Sequence, residues 1–315
     1  MIALLTTLVL AQPGFDVAGF TRPLKLDAPA AAACAECHPE RAKEWSQSAH
    51  RASLTNRVFL DGFSAEPHQR CLICHGPLDA QLRQAKRPLR SDSPVHDGIT
   101  CAVCHVRDGV VLSPRPDSTS YGHPVRHEPA LRTSEFCGTC HEFGGHAVID
   151  GVTVLNDLPM QTTLCEWREW GGAQTCQACH MPKASHRVRG AHDLEFLRSS
   201  VTLDVRAGVA TLTAQNVGHR VPTGDVFRHL VLWADDEPLM RFGLELERGF
   251  DVKGRPGVVI AKDTRLLPNV PVRVKVPPST HRVRLTYHFT APSLRARPLL
   301  TREDELVELF DLPAR

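Results

Sequence analysis

The chain has 315 residues, enough for two domains of ordinary size. A hydrophobic content of 42% excludes a largely disordered chain, and a net charge of +2 gives no sign of a polyanionic partner such as nucleic acid. Only 6% of the residues are aromatic, with two tyrosines, so a group other than side chains is expected to fill part of any core.

The N-terminal residues 1–12 are predicted to be a signal peptide. Ile2 to Ala11 form an apolar run that is too short to span a bilayer, and Val9 and Ala11 are small residues suited to a cleavage site. The usual basic residues are missing before the run, so an apolar N-terminal strand is the alternative. A signal peptide predicts an exported, periplasmic protein without a transmembrane span.

Ten of the eleven cysteines form five copies of one pattern, C-x-x-C-H, with starts separated by 37, 30, 36 and 39 residues. With 17 histidines in the chain, a histidine after all five pairs by chance has a probability below roughly one in a million. The pairs and their histidines are Cys34, Cys37 and His38; Cys71, Cys74 and His75; Cys101, Cys104 and His105; Cys137, Cys140 and His141; and Cys176, Cys179 and His180.

This pattern predicts five covalently attached c-type haems. Each cysteine pair supplies two thioethers from one helical turn, and the following histidine is the proximal iron ligand. Zinc ribbons pair their C-x-x-C motifs, whereas five is odd, and zinc does not need the trailing histidine. Thioredoxin-like sites occur once per fold, and disulfides do not favour such regular spacing.

The cysteine-rich part, about residues 25–198, is predicted to be a helix- and loop-rich pentahaem domain. Pro39 is well placed as a first helical residue, and the pattern indicates a helix from there to about Asn56. A shorter helix is expected near Trp167 to Trp170. Other stretches between motifs are rich in proline and lack periodicity.

Residues 199–315 contain no cysteine and change to alternation with a period of two. The dipeptide Ala207-Gly208 lies between two such runs and indicates a tight hairpin. The alternating positions are Val201, Leu203 and Val205; Val272, Val274 and Val276; and Val283, Leu285, Tyr287 and Phe289. These runs predict an antiparallel β-sandwich, with an immunoglobulin-like topology as one candidate, and an overall α+β fold. The alternative is a loose extension wrapped on the haem domain.

Electron-transfer haems need a second strong axial ligand, usually histidine. His38 and His50 are twelve residues apart, about 18 Å along a helix, so His50 is expected to bind a different haem from that of His38. The predicted distal ligands are His50, His96, His127, His192 and His219. The reserves are His68, His123, His146, His186 and His229, while His281 and His288 are expected to be structural.

Cys165 is the one cysteine outside a pair. A thiolate ligand or reactive thiol is one possibility, and a small buried apolar residue is the commoner role for such a cysteine.

The segment CAECHPERAKEWSQSAH, from Cys34 to His50, resembles the C-x-x-C-H…W-x-x-S-x-H signature of exported multihaem cytochromes of the cytochrome c-554 and c-552/4 family. GITCAVCHV, FCGTCHEF and TCQACHMP are similar to later haem segments, and NVGHRVPTGD resembles a motif of the C-terminal β domain in some members. The resemblance covers roughly residues 30–235. It implies bis-histidine haems in close pairs and supports His50 as a distal ligand, although the fifth haem departs from the tetrahaem relatives.

Two functions follow from the predicted haems. The first is electron transfer between redox partner proteins by hopping between close haems, with no catalytic side chain. The second is an oxidoreductase acting on nitrogen or sulfur oxyanions at one open-coordinated iron. The lysine variant of the motif, C-x-x-C-K, is absent from the sequence, which favours a carrier over an enzyme. The β domain is expected either to dock a partner or membrane surface, or to cap one haem through His219.

Overall fold

The computed structural model describes residues 31–65, 69–78, 81, 97–107, 109–119, 122–149, 152–291 and 300–314. The predicted signal peptide, His68 and His96 lie outside the described residues. Among the described residues, none of the helices has the length and apolar character required to cross a bilayer.

The part of the chain that carries the motifs consists of short helices. In chain order they are α1 (Ala31–Ala35), α2 (Pro39–Ser46), α3 (Arg57–Ala65), α4 (Gln69–His75), α5 (Cys101–His105), α6 (Ser134–His141), α7 (Thr163–Glu169), α8 (Cys176–His180) and α9 (Leu194–Ser199), with 3-10 turns at Pro129–Arg132 and Pro182–Ala184. The predicted short helix near Trp167 is α7, which begins and ends slightly earlier than expected.

The predicted helix from Pro39 to about Asn56 is wrong beyond Ser46. The Ser46 hydroxyl donates to the carbonyl of Lys43 at 2.8 Å, and the chain then continues in turns. Serine side chains compete with helical hydrogen bonding in this way. The Trp45 indole donates to the Ile99 carbonyl at 2.8 Å, which anchors the end of α2 against the third motif.

The same part of the chain also contains strands that the sequence pattern did not reveal. They are β1 (Val106–Arg107), β2 (Val110–Ser113), β3 (Val125–His127), β4 (Glu142–Ile149) and β5 (Val152–Thr162). β4 and β5 form an antiparallel hairpin with register irregularities near Gly144. Its sequence signal is the turn dipeptide Asp150-Gly151, itself outside the described residues, between two runs rich in valine and isoleucine.

The C-terminal part is built almost wholly of antiparallel strands. They are β6 (Val201–Arg206), β7 (Val209–Ala214), β8 (His229–Ala234), β9 (Glu237–Phe242), β10 (Leu244–Phe250), β11 (Pro256–Asp263), β12 (Val272–Lys275), β13 (Arg282–His288) and β14 (Leu306–Pro313), with a helical turn α10 (Arg302–Glu305) before the last strand. The sheet orders are β12-β7-β6 and β14-β13-β8-β9, and β10 pairs with β11.

The two larger sheets enclose one apolar core, which confirms the predicted α+β fold class. Val201, Leu203, Leu212, Leu232 and Leu285 are buried in it. The expected hairpin is present, because Ala207 and Gly208 both adopt a positive φ between β6 and β7. The division into domains at residues 198 and 199 stays a prediction.

Candidate haem-binding site

All five motifs occupy single helical turns. Four of them end a helix at the motif histidine, namely α4, α5, α6 and α8, and in the first motif the His38 amide donates to the Cys34 carbonyl at 2.9 Å. Residues three apart lie on the same side of a helix. The two thiols of each motif are therefore presented together beside the following imidazole, as two-point attachment to one flat group requires.

Thiols of different motifs lie near one another. The thiol of Cys34 lies near that of Cys101, the thiol of Cys137 near that of Cys176, and the thiol of Cys74 near that of Cys140. None of the cysteines forms a disulfide. The first motif therefore lies near the third, the fourth near the fifth, and the second near the fourth. Cys104 of the third motif also lies near Cys140 of the fourth, so the five motifs form one continuous group.

Four motif histidines each face a histidine from outside the motifs. The ring centroids are 6.3 Å apart for His38 and His123, and 6.3 Å apart for His50 and His141. The two remaining pairs are His105 with His186 at 6.0 Å and His180 with His219 at 6.2 Å.

These separations match two imidazoles on one metal ion. Nitrogens at about 2.0 Å from the metal, with ring centres ~1.1 Å further out, place the centroids about 6.2 Å apart. Direct stacking gives shorter distances, as in His229 and His288 at 4.5 Å. Each of the four pairs therefore has room for one iron between its rings.

Backbone carbonyls contact the Nδ1 atoms of several motif histidines and facing histidines, and these contacts orient the rings. The Nδ1 of His75 lies 3.1 Å from the Ser53 carbonyl, that of His105 lies 2.9 Å from the Leu112 carbonyl, and that of His219 lies 2.9 Å from the Arg220 carbonyl. A carbonyl at Nδ1 selects the tautomer that carries its proton there. Nε2 is then left unprotonated, as a metal ligand requires.

Burial favours the neutral form of five of the paired imidazoles. It lowers the pKa of His50 and of His141 to about 4, and it also lowers the pKa values of His105, His180 and His186. Histidine must be neutral to bind a metal through nitrogen. These five rings are therefore in the binding form at neutral pH.

His75 differs from the other four motif histidines. Within the described part of the chain, no second histidine ring faces it at the separation of the four pairs. Phe59 instead stacks on its imidazole with centroids 4.3 Å apart and an interplanar angle of 18°. The second axial position of this motif is thus not assigned by the described residues.

The predicted distal ligands fall into three groups. His219 lies opposite His180, and His50 lies opposite His141 rather than His38. His127 is exposed, with its Nδ1 2.9 Å from the Arg115 carbonyl, and His192 stacks on Phe289 at 4.6 Å. His96 lies outside the described residues.

Two reserve histidines, His123 and His186, lie opposite His38 and His105. His123 is four residues from the predicted ligand His127, and His186 is six residues from the predicted ligand His192. The sequence alone does not show which histidine of each such pair faces a motif histidine, because that depends on how two distant loops pack. His229 and His288 stack on each other in the β-sandwich.

A β-domain loop carries His219, and a buried carboxylate holds this loop in place. Glu166 of α7 accepts hydrogen bonds from the Arg220 amide at 3.2 Å and the Thr223 hydroxyl at 2.9 Å, and it forms an ion pair with Arg265 at 2.6 Å. The sequence contained no signal for Glu166, since its partners come from loops far along the chain.

Two comparisons with known proteins agree with this geometry. Residues 33–106, which hold the first three motifs, match the family model described as cytochrome c554 and c-prime. The crystal structure of a penta-haem cytochrome c552 from Thermochromatium tepidum is similar, with a TM-score of 0.66 over 90% of this chain and 98% of that chain. Its sequence identity is 20%, so the likeness concerns the fold. A search of curated proteins found no match.

The family match supports a multihaem c-type cytochrome and covalently bound haem c. The donor set fits this cofactor. Five cysteine pairs each lie beside an imidazole, and four of these imidazoles face a second one at the separation expected for one iron. Among the described residues, no group of three or more His, Cys, Asp or Glu side chains is arranged to hold a bare metal ion.

Cys165 does not behave as the expected buried residue. It is exposed on α7, and its thiol lies 3.8 Å from a Glu169 carboxylate oxygen. Partial burial and the nearby carboxylates of Glu169 and Glu142 raise the pKa of this thiol. The prediction of a buried apolar role is therefore wrong.

Proposed function

We propose that this multihaem cytochrome carries electrons between redox partner proteins through five covalently bound haems. Haem supplies the reversible one-electron chemistry of iron, and the polypeptide sets distances, ligands and local fields. The observation that carries the proposal is the set of four histidine pairs with centroids 6.0–6.3 Å apart. Two histidine ligands per iron leave coordination unchanged between the oxidised and reduced states.

The contacts between motifs support a continuous path for electrons. Cys34 lies near Cys101, Cys140 acts electrostatically on Cys104, and Cys137 lies near Cys176. This order runs from the first motif through the third and fourth to the fifth. The second motif joins the fourth through Cys74 and Cys140. Groups attached at such neighbouring thiols must lie close together.

The proposed proximal ligands are His38, His75, His105, His141 and His180. We propose His123, His50, His186 and His219 as the distal ligands of the first, fourth, third and fifth motifs. The proposed location is the periplasm or another exported compartment, because haem c is attached outside the cytoplasm and the first twelve residues read as a signal peptide.

The deciding experiment combines mass spectrometry with electron paramagnetic resonance (EPR). The denatured, mature polypeptide should be heavier than its amino acids by five haems, and the oxidised protein should show at least four low-spin ferric signals. A mass without added haem would overturn the proposal. Variants His123→Ala and His186→Ala should each convert one signal to high spin, whereas the control His127→Ala should convert none.

The alternative function is an oxidoreductase, which requires one iron with an open position. Such an iron would suit reduction of a small oxyanion such as nitrite. A high-spin signal that shifts on addition of nitrite, and steady-state consumption of nitrite with a reduced dye, would establish this function. Five low-spin signals that are insensitive to nitrite would exclude it.

A further inference from the structure

Helix α2, which follows the first motif, contacts the loop that carries His186. His186 faces His105 with ring centroids 6.0 Å apart and is the proposed distal ligand of the third motif. Its backbone amide donates a hydrogen bond to Glu44 Oε2 at 2.9 Å, across 142 residues of the chain. This tertiary contact links the segment of the first motif to an axial ligand of the third.

A second residue of α2, Arg41, contacts the same loop. Its Nη1 atom donates to the Ala184 carbonyl at 2.9 Å and also lies 2.9 Å from Glu44 Oε2. The Nδ1 atom of His186 lies 3.1 Å from the same carbonyl. Because a carbonyl can only accept, the imidazole proton belongs on Nδ1, and Nε2 is left to bind iron. Arg41 and Glu44 thus contact the two backbone groups that orient this imidazole.

The backbone of the loop depends on such contacts. Lys183 and Ala184 have φ values of 55° and 59°, in the left-handed region. Residues other than glycine rarely adopt that region and remain in it only where their surroundings hold them there. The hydrogen bond from Arg41 reaches Ala184 itself. Loss of the α2 contacts is therefore expected to loosen the loop and to change how His186 meets the iron.

Glu44 also places a negative charge beside an axial ligand. Its Oε2 atom lies 3.9 Å from His186 Nδ1. None of the other proposed axial histidines has a carboxylate oxygen of the described residues within 4.0 Å of a ring nitrogen. A negative charge stabilises ferric haem relative to ferrous haem, because the ferric state carries one more positive charge. Glu44 should therefore lower the reduction potential of this haem, and Arg41 should oppose that effect.

We propose that Glu44 and Arg41 are positioning residues for the axial ligand His186, and that their opposite charges adjust the reduction potential of the haem of the third motif. The proposal rests on the proposed function, because that haem must be attached and must have His186 as its distal ligand. In the proposed path this haem lies between those of the first and fourth motifs, so its potential affects electron transfer on both sides.

The test compares three variants of α2. Glu44→Gln removes the charge but keeps an oxygen that can accept from the His186 amide, and Arg41→Gln removes the cation. The control Glu40→Gln removes an exposed carboxylate of the same helix that makes no hydrogen bond or ion pair with the described loop residues. Mass spectrometry first establishes five haems in each protein. Redox titration with EPR then follows the third haem, which is the low-spin signal that His186→Ala converts to high spin.

Glu44→Gln should raise the potential of the third haem more than that of any other haem, and Arg41→Gln should lower it. Glu40→Gln should leave it unchanged, and Arg41→Lys, which keeps the cation, should retain the wild-type value. Both shifts should shrink at high salt, because Glu44 and Arg41 are 32% and 47% exposed and solvent ions screen their charges. A merely structural role would not move the potential in opposite directions.

The positioning role is tested by Glu44→Ala, which removes the acceptor as well as the charge. The EPR g-values of the third haem should change in Glu44→Ala, because the loop of His186 is less firmly held. They should stay close to those of the wild type in Glu44→Gln. Unchanged g-values in Glu44→Ala would reject the positioning role.

A third-haem potential that neither Glu44→Gln nor Arg41→Gln changes, or that Glu40→Gln raises as much as Glu44→Gln, would overturn the proposal. If Glu44→Gln does not mature, the comparison of Arg41→Gln with Arg41→Lys provides the same test. An unchanged spectrum in His186→Ala would reject His186 as a ligand and overturn this proposal as well. Fewer than five haems in the wild-type protein would instead contradict the proposed function.

Discussion

The motif-bearing part of the chain and the β-sandwich bury apolar side chains to very different extents. In the β part, one large cluster joins both sheets and includes Leu212, Leu230 and Leu285, each fully buried. In the described motif part, the one cluster of buried residues is small and lies around Ile99, Ala102 and Val103. Protein interiors are normally packed at high density.

The comparison indicates that the two parts reach stability by different means. The strands of the β part pair their backbone hydrogen-bonding groups with one another, and its two larger sheets enclose their own apolar core. The short helices of the motif part, each only five to nine residues long, fall below the length at which isolated helices are stable in water. We infer that covalent haem, with its large flat apolar surface, supplies the missing core there.

The largest effect should therefore follow from withholding haem. When the full chain is produced without the haem-attachment machinery, limited proteolysis should destroy the motif part and leave a resistant fragment that begins near residue 199. The matured protein, treated identically, should resist throughout. A motif part that is equally resistant without haem would show that its polypeptide folds alone. The two parts would then not differ in their source of stability.

The junction between the two parts provides the next test. Replacing Glu166 by Gln removes the charge that pairs with Arg265 at 2.6 Å in a site where both side chains are under a tenth exposed. Arg265 keeps a second ion pair with Asp263 at 2.7 Å, so the expected cost is about 1–3 kcal/mol, that of leaving buried donors without one charged acceptor. The EPR signal of the His180 and His219 haem should change as well, since Glu166 holds the loop of His219.

The matched control for Glu166→Gln lies in the same helix. Glu169 is 56% exposed and pairs with Arg220 at 3.6 Å, so Glu169→Gln should cost less than about 1 kcal/mol. Denaturant unfolding gives the stabilities. Equal effects of the two variants would mean that the buried pair does not hold the junction.

Local features of the sequence predicted this architecture well. The hairpin at Ala207-Gly208 and the alternating run Val283, Leu285, Tyr287 depend on neighbours in the chain, and both are present. The end of α2 at Ser46 escaped prediction, because a serine side chain that competes with helical hydrogen bonding has no effect on periodicity.

The pairing of histidines was predictable only in part. The attachment motifs are contiguous in sequence, but His38 faces His123 and His105 faces His186, each across a long loop. Tertiary contacts decide which histidine faces a motif histidine, so the sequence alone does not distinguish between two histidines that lie a few residues apart. His50 was separated from His38 by assuming a continuous helix between them. Its ring does face His141, although the helix ends at Ser46 and does not supply the reason. Glu166 gave no local signal at all.

The core of the β part should respond to truncation as an ordinary protein core does. Leu285→Ala in β13 should destabilise the β part by about 2–5 kcal/mol, since Leu285 is fully buried between the sheets. The fluorescence of Trp233, on the neighbouring strand β8, can follow unfolding. Phe250→Ala is the control, because Phe250 is 70% exposed and its loss should be nearly neutral. A small effect of Leu285→Ala would show that the apolar core between the sheets does not dominate the stability of the β part.

The smallest effect concerns the cysteine that stands outside the motifs. If all ten motif cysteines are thioethers, the denatured mature protein should react with a thiol reagent at a single site, Cys165. In the native state that reaction should be slow at neutral pH, because partial burial and the carboxylate of Glu169 raise the pKa of the thiol and reduce the thiolate fraction. Glu169→Gln should speed the reaction several-fold, and raising the pH should do the same. Labelling at a second cysteine after denaturation would identify a motif that lacks a thioether, and with it a haem that the motif part does not hold covalently at both points.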